Sequence, residues 1–380
     1  MRARVALEDG TVLAGRAIGV PGETGGEVVF TTAMTGYEEI LSDPSYRGQI
    51  VTMAYPLIGN YGVNAESWES SRPHVAGFIV AEAADAPHHW HAQSTLASAL
   101  AEWQIVGVTG VDTRFLVRHL RSHGLKRGVI STEDVSDATL VARARAIPDI
   151  ATLDLVGQVS RQAPAHYPGP GPRVAVLDCG VKNGILANLR ERGCDLWVLP
   201  HRTTADEILE LAPAGVVLSP GPGDPQVLAY QVAQVQRLWT RLPIFGICLG
   251  HQLIGRAAGG NTFKLPYGHR GSNHPVKDLE TGRVCVTTQN HGYAVDENTL
   301  QDSDVIVTHQ NLNDGTVEGL RHRRLPIVSV QYHPEGRPGP QDSGYLFDRW
   351  LAMLAERAAA EPAKVKRLLL SAEASADAAH

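Results

Sequence analysis

The 380-residue sequence has only four cysteines, Cys179, Cys194, Cys248 and Cys285, and none of them are paired at short spacing. That scarcity excludes a disulfide-stapled scaffold and a cysteine-built zinc site, and it points to a reducing cytoplasm. Long apolar runs are also missing: no stretch approaches the ~20 residues that a membrane-spanning helix needs. Near the N-terminus, Glu8 and Asp9 interrupt the chain before a signal-peptide core can form. There is no basic excess. With a formal net charge of −6, a nucleic-acid-binding surface is not expected. No G-x-x-x-x-G-K-[ST] phosphate loop and no kinase signature set occurs, so ATP chemistry is not expected on this chain.

What remains is an ordinary globular composition, long enough for two cores. The first half mixes element types. "RVALEDGTVLAGRAIG" alternates around Asp9-Gly10, a hairpin signal. Apolar strands are predicted at Glu27–Phe30, Gln49–Ala54 and Val75–Ala81. Helices are predicted at Ser94–Trp103, at Asp112–His123 with Asp112 as N-cap, and at Asp137–Ile147. The proline-rich stretch "RQAPAHYPGPGPR", Arg161 to Arg173, continues neither element type and is the linker candidate. The expected organisation is a mixed α/β domain over 1–150, a linker over 151–172, a second domain over 173–357 and a disordered tail over 358–380.

Beyond the linker the rhythm is strand–helix–strand. Strands are predicted at Arg173–Leu177, Asp195–Leu199, Gly215–Leu218 and before Cys248. Helices fall at Asn183–Arg192, Ala205–Leu211 and Gln226–Thr240. This alternation predicts a doubly wound, mostly parallel sheet, whose ligands bind beyond the carboxyl ends of its strands. Three loops leave strands at that edge: "SPGPGDP" (Ser219–Pro225), "GICLGHQ" (Gly246–Gln252) and "QYHPE" (Gln331–Glu335).

Gly246-Ile247-Cys248-Leu249-Gly250 reads as a nucleophile elbow with sulfur in place of a hydroxyl. The helix N-terminus after it favours a negatively charged sulfur, and the Leu249 N–H can donate to an oxyanion. A second donor can come from the backbone at Gly221–Gly223. His333 is the candidate base and Glu335 its orienting carboxylate.

Together these three motifs resemble the class I (triad) glutamine amidotransferases, over about Arg173 to Arg357. The resemblance implies that Cys248, His333 and Glu335 form a triad that hydrolyses glutamine and releases ammonia. "GEVVFTTAMTGYEEILSDPSYRGQIVTMAYPLIGNYG" (Gly26–Gly62), "GVTGVDTRFLVRHLRSHG" (Gly107–Gly124), "YGHRGSNHPV" and "QNHGYAVD" are similar to the carbamoyl-phosphate synthetase small-chain family, across nearly the whole chain except its tail. That likeness implies a large-subunit partner that uses ATP and magnesium to make carbamoyl phosphate for arginine or pyrimidine biosynthesis. It implies no cofactor, metal, nucleic acid or membrane on this chain. It also implies a glutamine pocket of Ser45, Gly221, Gly223, Leu249, Gln252, Asn290, Gly292 and Tyr293, lying at the domain junction because Ser45 belongs to the first domain. Two departures stand out: Tyr293 where phenylalanine is common, and Gly336 where alanine is common.

Other features read more plainly. "HHWH" (His88–His91) lies in a polar loop without a carboxylate cluster and is not expected to bind metal. Arg114, Arg118 and Arg121 form a helical stripe read as a solvated face. His251 is read as a supporting residue, and Cys179, Cys194 and Cys285 as inert. Two other readings stay open at this point: a different cysteine-dependent α/β hydrolase, and a non-catalytic amidotransferase-like regulatory subunit.

Overall fold

The structure, a computed structural model, describes residues 1–301 and 303–360. Its first half is a closed barrel. β1 (Arg2–Leu7) and β2 (Val12–Gly19) form the hairpin around Asp9-Gly10. β3 (Glu23–Thr31), β4 (Gln49–Met53), β6 (Gly77–Ile79), β8 (Val106–Thr109) and β9 (Lys126–Ser131) complete the ring in the order β1-β2-β8-β6-β4-β3-β9. β5 (Leu57–Ile58) and β7 (Glu82–Ala83) make a separate two-residue ladder. Closure through the antiparallel pairing of β9 with both β1 and β3 leaves no free edge. The helix Asp137–Ala146 packs on Ala6 and Val129 on one face of the strands, whereas Leu116 and Leu120 of the helix Thr113–His123 join Val5, Val28, Ile50 and Ile130 in another buried cluster. Asp112 caps Thr113–His123 by accepting from the Phe115 N–H, as the sequence predicts.

The second half is one ten-stranded sheet. Its parallel centre runs β12 (Asp195–Pro200), β11 (Arg173–Asp178), β13 (Gly215–Leu218), β14 (Ile244–Ile247) and β19 (Ile327–Val330). An antiparallel extension follows through β18 (Val317–His322), β17 (Val305–Asn311), β15 (Thr262–Asp278) and β16 (Val284–Val295). The central strands are apolar on both faces because both are covered. Val174 and Val176 join one buried cluster while Ala175 and Leu177 join another, the period-2 alternation of a strand.

One expectation needs correction. Ala165–Tyr167, inside the proline-rich stretch, forms β10, an edge strand antiparallel to β12. An edge strand needs only one ladder, so flanking prolines do not forbid it. A 3-10 turn at Pro225–Leu228 also precedes the helix Ala229–Leu238, which is shorter than predicted. Helix 345–360 packs Phe347 and Trp350 against the sheet. Positions 361–380 of the expected tail lie outside the described residues. Among the described residues no helix is long and apolar enough to cross a membrane.

Candidate active site at the domain junction

Cys248 lies between β14 and the helix Leu249–Ala257, with φ 53° and ψ −104°. Few side chains tolerate such a backbone, so the turn is held by its surroundings. A Cβ on Gly246 would come within 2.6 Å of the Gly250 carbonyl oxygen, and one on Gly250 would strike the Leu218 carbonyl of β13. The two glycines therefore let the helix press onto the strands and fix the corner. Parallel pairing of Ile247 with Val330 carries β19 past the elbow, so the next residues of "QYHPE" arrive beside Cys248. The Cys248 N–H donates to the Val330 carbonyl at 2.9 Å, and the His333 N–H donates to the Thr288 carbonyl at 2.9 Å.

Cys248, His333 and Glu335 are all buried. His333 Nδ1 is 2.7 Å from Glu335 Oε1, and Nε2 has no hydrogen-bond partner among the described residues. Burial opposes a charge on this imidazole, but the Glu335 carboxylate outweighs burial. Lys182 opposes it, the Cys248 thiol adds to it, and the net pKa rises to about 10. Burial pushes the Glu335 carboxyl up, but Lys182 and His333 hold it down to about 2. Lys182 is the residue that the sequence reading missed. Its Nζ lies 2.9 Å from Glu335 Oε1 and 3.8 Å from Glu69 Oε2, and it donates to the Arg337 carbonyl. Burial lowers its pKa, yet Glu335, Glu69 and Asp43 raise it above the usual lysine value. Arg337 Nε, 3.1 Å from Glu69 Oε1, completes the buried network.

A cavity opens in front of the thiol, and Ser45, Gly221, Gly223, Gln252, Asn290, Gly292 and Tyr293 all line it together with Cys248. The side chain of Leu249 belongs to the core beneath, so only its backbone can serve the site. As the first helical residue it has no intrahelical acceptor for its N–H. Gly221 is pressed so close to the Cys179 carbonyl that a Cβ would collide with it. Asp43 holds two walls at once. Its Oδ1 accepts from the Ser45 N–H at 2.9 Å and its Oδ2 from Asn290 Nδ2 at 3.1 Å. Gln252 Nε2 donates to the Tyr293 carbonyl at 2.9 Å and to Gln331 Oε1 at 3.1 Å. Glu27, Gln49, Lys264, Arg270 and His291 also line the cavity and were not singled out from the sequence.

The remaining sequence features resolve locally. His251 Nδ1 pairs with Ser329 Oγ at 2.9 Å, and burial holds its pKa down to about 3. Burial pushes the Cys179 thiol up to about 12 and the Cys194 thiol to about 11, in keeping with inert positions. His91 bonds Asn64 within an exposed loop. Arg114, Arg118 and Arg121 face solvent. Gly336 has φ 62°, and a Cβ there would meet the Pro340 carbonyl, so glycine suits the position.

Residues 5–130 match the family model described as carbamoyl-phosphate synthase small chain, CPSase domain, and residues 175–353 match glutamine amidotransferase class-I. The carbamoyl phosphate synthase small chain of Symbiobacterium thermophilum is 52% identical over 92% of this chain and 97% of its own. That of Bacillus caldolyticus is 51% identical over 94% and 97%. The pyrimidine-specific small chain of Halalkalibacterium halodurans is 49% identical over 93% and 97%. The chain therefore belongs to the carbamoyl-phosphate synthase small-chain family, the glutaminase (amidotransferase) subunits of the glutamine-hydrolysing synthase.

Proposed function

We propose that this chain hydrolyses L-glutamine through Cys248, His333 and Glu335 and delivers the ammonia to a large subunit that uses ATP and magnesium to make carbamoyl phosphate. The observation that carries the reading is Cys248 facing the junction cavity with the buried His333–Glu335 pair acting on its thiol from behind. Cys248 Sγ attacks the side-chain amide carbon of glutamine, and the oxyanion is met by the Leu249 N–H and the Gly221–Gly223 backbone. His333 takes the thiol proton and passes it to the amide nitrogen, the C–N bond breaks, and ammonia leaves. Water then attacks the thioester with His333 as base, the C–S bond breaks, glutamate departs and the proton returns to sulfur. Glu335 keeps Nε2 turned to the reacting atoms and stabilises the imidazolium.

The partner reading is supported by the family and by the lack of any phosphate loop in this sequence. Residues 1–150 are the proposed contact region, because hydrolysis itself draws on few of them. The test is Cys248→Ser in complex with the large subunit. Glutamine-dependent carbamoyl phosphate synthesis is expected to fall by roughly 10³-fold or more, because a serine hydroxyl is a far weaker nucleophile at neutral pH. Synthesis from ammonium salt is expected to persist. Full glutamine-dependent activity in the variant would overturn the assignment of the nucleophile. Loss of the ammonium reaction as well would overturn the division of labour between the chains.

A further inference from the structure

His269 and His291 stand directly opposite one another on β15 and β16, with ring centroids 4.9 Å apart and planes at 84°. Cross-strand partners share one face of a sheet, and β18 brings Glu318 to the same place. All three side chains are buried, and each offers a ligand atom within 4.8 Å of the others. Two imidazoles and a carboxylate are a ligand set for a divalent transition ion, with zinc the best fit.

Each ring has one nitrogen turned to an acceptor outside this group. His269 Nε2 is 2.8 Å from Asp314 Oδ2, and His291 Nδ1 is 2.8 Å from the Tyr293 carbonyl. Metal-bound histidines have their outer nitrogen held in this way. The inner nitrogen of His269, Nδ1, is 3.6 Å from Glu318 Oε1. His291 Nε2 meets Gln289 Oε1 at 2.7 Å, and that amide is fixed because its nitrogen donates to Glu318 Oε1 at 2.9 Å. Burial and then the charge of His269 hold the His291 pKa well below the usual histidine value, so the ring carries one proton. A proton on Nδ1 satisfies Tyr293 and leaves the Nε2 lone pair against Gln289 Oε1; a proton on Nε2 strands the carbonyl instead. Glu318 adds a second deficit. Its Oε1 accepts from Gln289 and, at 2.7 Å, from Asn311, while its Oε2 is buried with no partner among the described residues. A cation bound at Nε2 and at the carboxylate removes both deficits at once.

We propose that His269 Nδ1, His291 Nε2 and Glu318 bind one zinc ion, with Gln289 Oε1 as a fourth donor, and that the ion clamps β15, β16 and β18 together behind the junction cavity. The site is independent of the glutaminase reading, and four protein donors make its role structural. Zinc bonds of about 2.1 Å need donors roughly 3.4 Å apart, so the side chains close in on binding by up to roughly 1.4 Å. His291 also lines the junction cavity, which gives the ion a way in. In the metal-free protein a second proton on His269 takes the ion's place between Asp314 and Glu318.

The experiment uses the full chain in a Cys248→Ser background, so that the cavity thiol does not compete for metal. After EDTA treatment and dialysis, zinc is titrated against a chromogenic chelator while the thermal midpoint is followed. One equivalent is expected to bind, and the midpoint to rise with zinc concentration. Glu318→Gln keeps an acceptor for Gln289 and Asn311 but removes the charge, and is expected to lose at least about 100-fold in zinc affinity. Asp314→Asn acts through His269 and is expected to lose about 10–100-fold. Absence of stoichiometric uptake by the parent chain would overturn the proposal. So would equal uptake in Glu318→Gln, which would place the ion elsewhere, as on the His88–His91 loop. Should Glu318→Gln fail to fold, Asp314→Asn decides, and a zinc affinity equal to the parent's overturns the proposal.

Discussion

Replacing Lys182 by methionine tests whether one buried cation holds the Glu335 carboxylate ionised. Lys182 Nζ is 2.9 Å from Glu335 Oε1, and both side chains are almost wholly buried, at 1% and 0% exposure. At an effective dielectric of about 20, two unit charges at that separation attract by roughly 6 kcal/mol. Desolvation of the lysine offsets part of this, and removing one partner of a buried pair typically costs about 3–5 kcal/mol. Methionine fills a similar volume, so the loss is electrostatic. In wild type Glu335 is held down to about 2 and stays ionised at any working pH. Without Lys182 burial prevails, the carboxyl pKa rises, and protonation of Glu335 removes the charge that supports the His333 imidazolium. The acid limb of glutaminase kcat/KM is therefore expected to move to higher pH, with activity at pH 6 falling more than activity at pH 8. Urea unfolding is expected to show a loss of about 3–5 kcal/mol, which Glu69→Gln added to Lys182→Met partly restores by removing the second stranded carboxylate. An unshifted pH profile together with wild-type stability would refute the reasoning.

Three other outcomes follow from the same geometry. Gly250→Ala places a Cβ against the Leu218 carbonyl of β13, so overpacking of about 1–3 kcal/mol in urea unfolding and loss of glutaminase activity are expected. A variant with wild-type stability would show that the corner can relax. Asp43→Ala frees both Asn290 Nδ2 and the Ser45 N–H, so the glutamine KM is expected to rise about tenfold with kcat less affected. An unchanged KM in steady-state assays would contradict that. The last concerns pH. Burial lowers the His269 pKa, but Asp314 and Glu318 raise it to about 9, so its contribution to stability is complete below about 6.5 and lost as pH rises through about 9. Burial holds His251 down to about 3 and His74 and His274 to about 4, so their contribution is complete above about 6.5 and lost as pH falls toward those values. The summed contribution of these four histidines is greatest near pH 6.5, and Asp314→Asn is expected to flatten the alkaline side of the unfolding free energy. Identical alkaline slopes in the two proteins would refute the assignment.

The elbow was legible because it is local: two glycines, one cysteine and the helix that follows are adjacent in the chain, and their geometry follows from sterics alone. "QYHPE" was legible for the same reason once the strand before it was recognised. Lys182 was not. It reads as an ordinary surface lysine before a helix, and its partners Glu335, Glu69 and the Arg337 carbonyl come from distant stretches. One signal was available. Lys182 follows β11 at the carboxyl edge of the parallel sheet, where site residues gather. Barrel closure was hidden as well, because neither the alternation that predicts β1 and β2 nor the apolar run Glu27–Phe30 within β3 says which strand seals the ring, and β9 pairs with both β1 and β3.

The division of the site between two domains bears on how such an enzyme is controlled. The second domain supplies Cys248, His333 and Glu335, the proposed nucleophile, base and orienting carboxylate, while the first supplies Ser45 to the cavity and Asp43 and Glu69 to the bonds and charges behind it. Bonds across the junction set this geometry, among them Asn290 on Asp43, Lys264 on Glu27, the Gly184 N–H and Lys182 on Glu69, and the Thr32 N–H on the Arg270 carbonyl. A small slide of the barrel would move Ser45 and Asp43 away from Asn290 and weaken Glu69 against Lys182 together. Losses of that kind act on substrate position and on the Glu335–His333 pair at once, and displacements near 1 Å at a reacting centre cost about 100-fold in rate. On the function proposed above, a partner that grips the barrel would adjust glutamine hydrolysis without touching Cys248. That gives the first domain a physical reason to exist in a chain whose chemistry lies in the second.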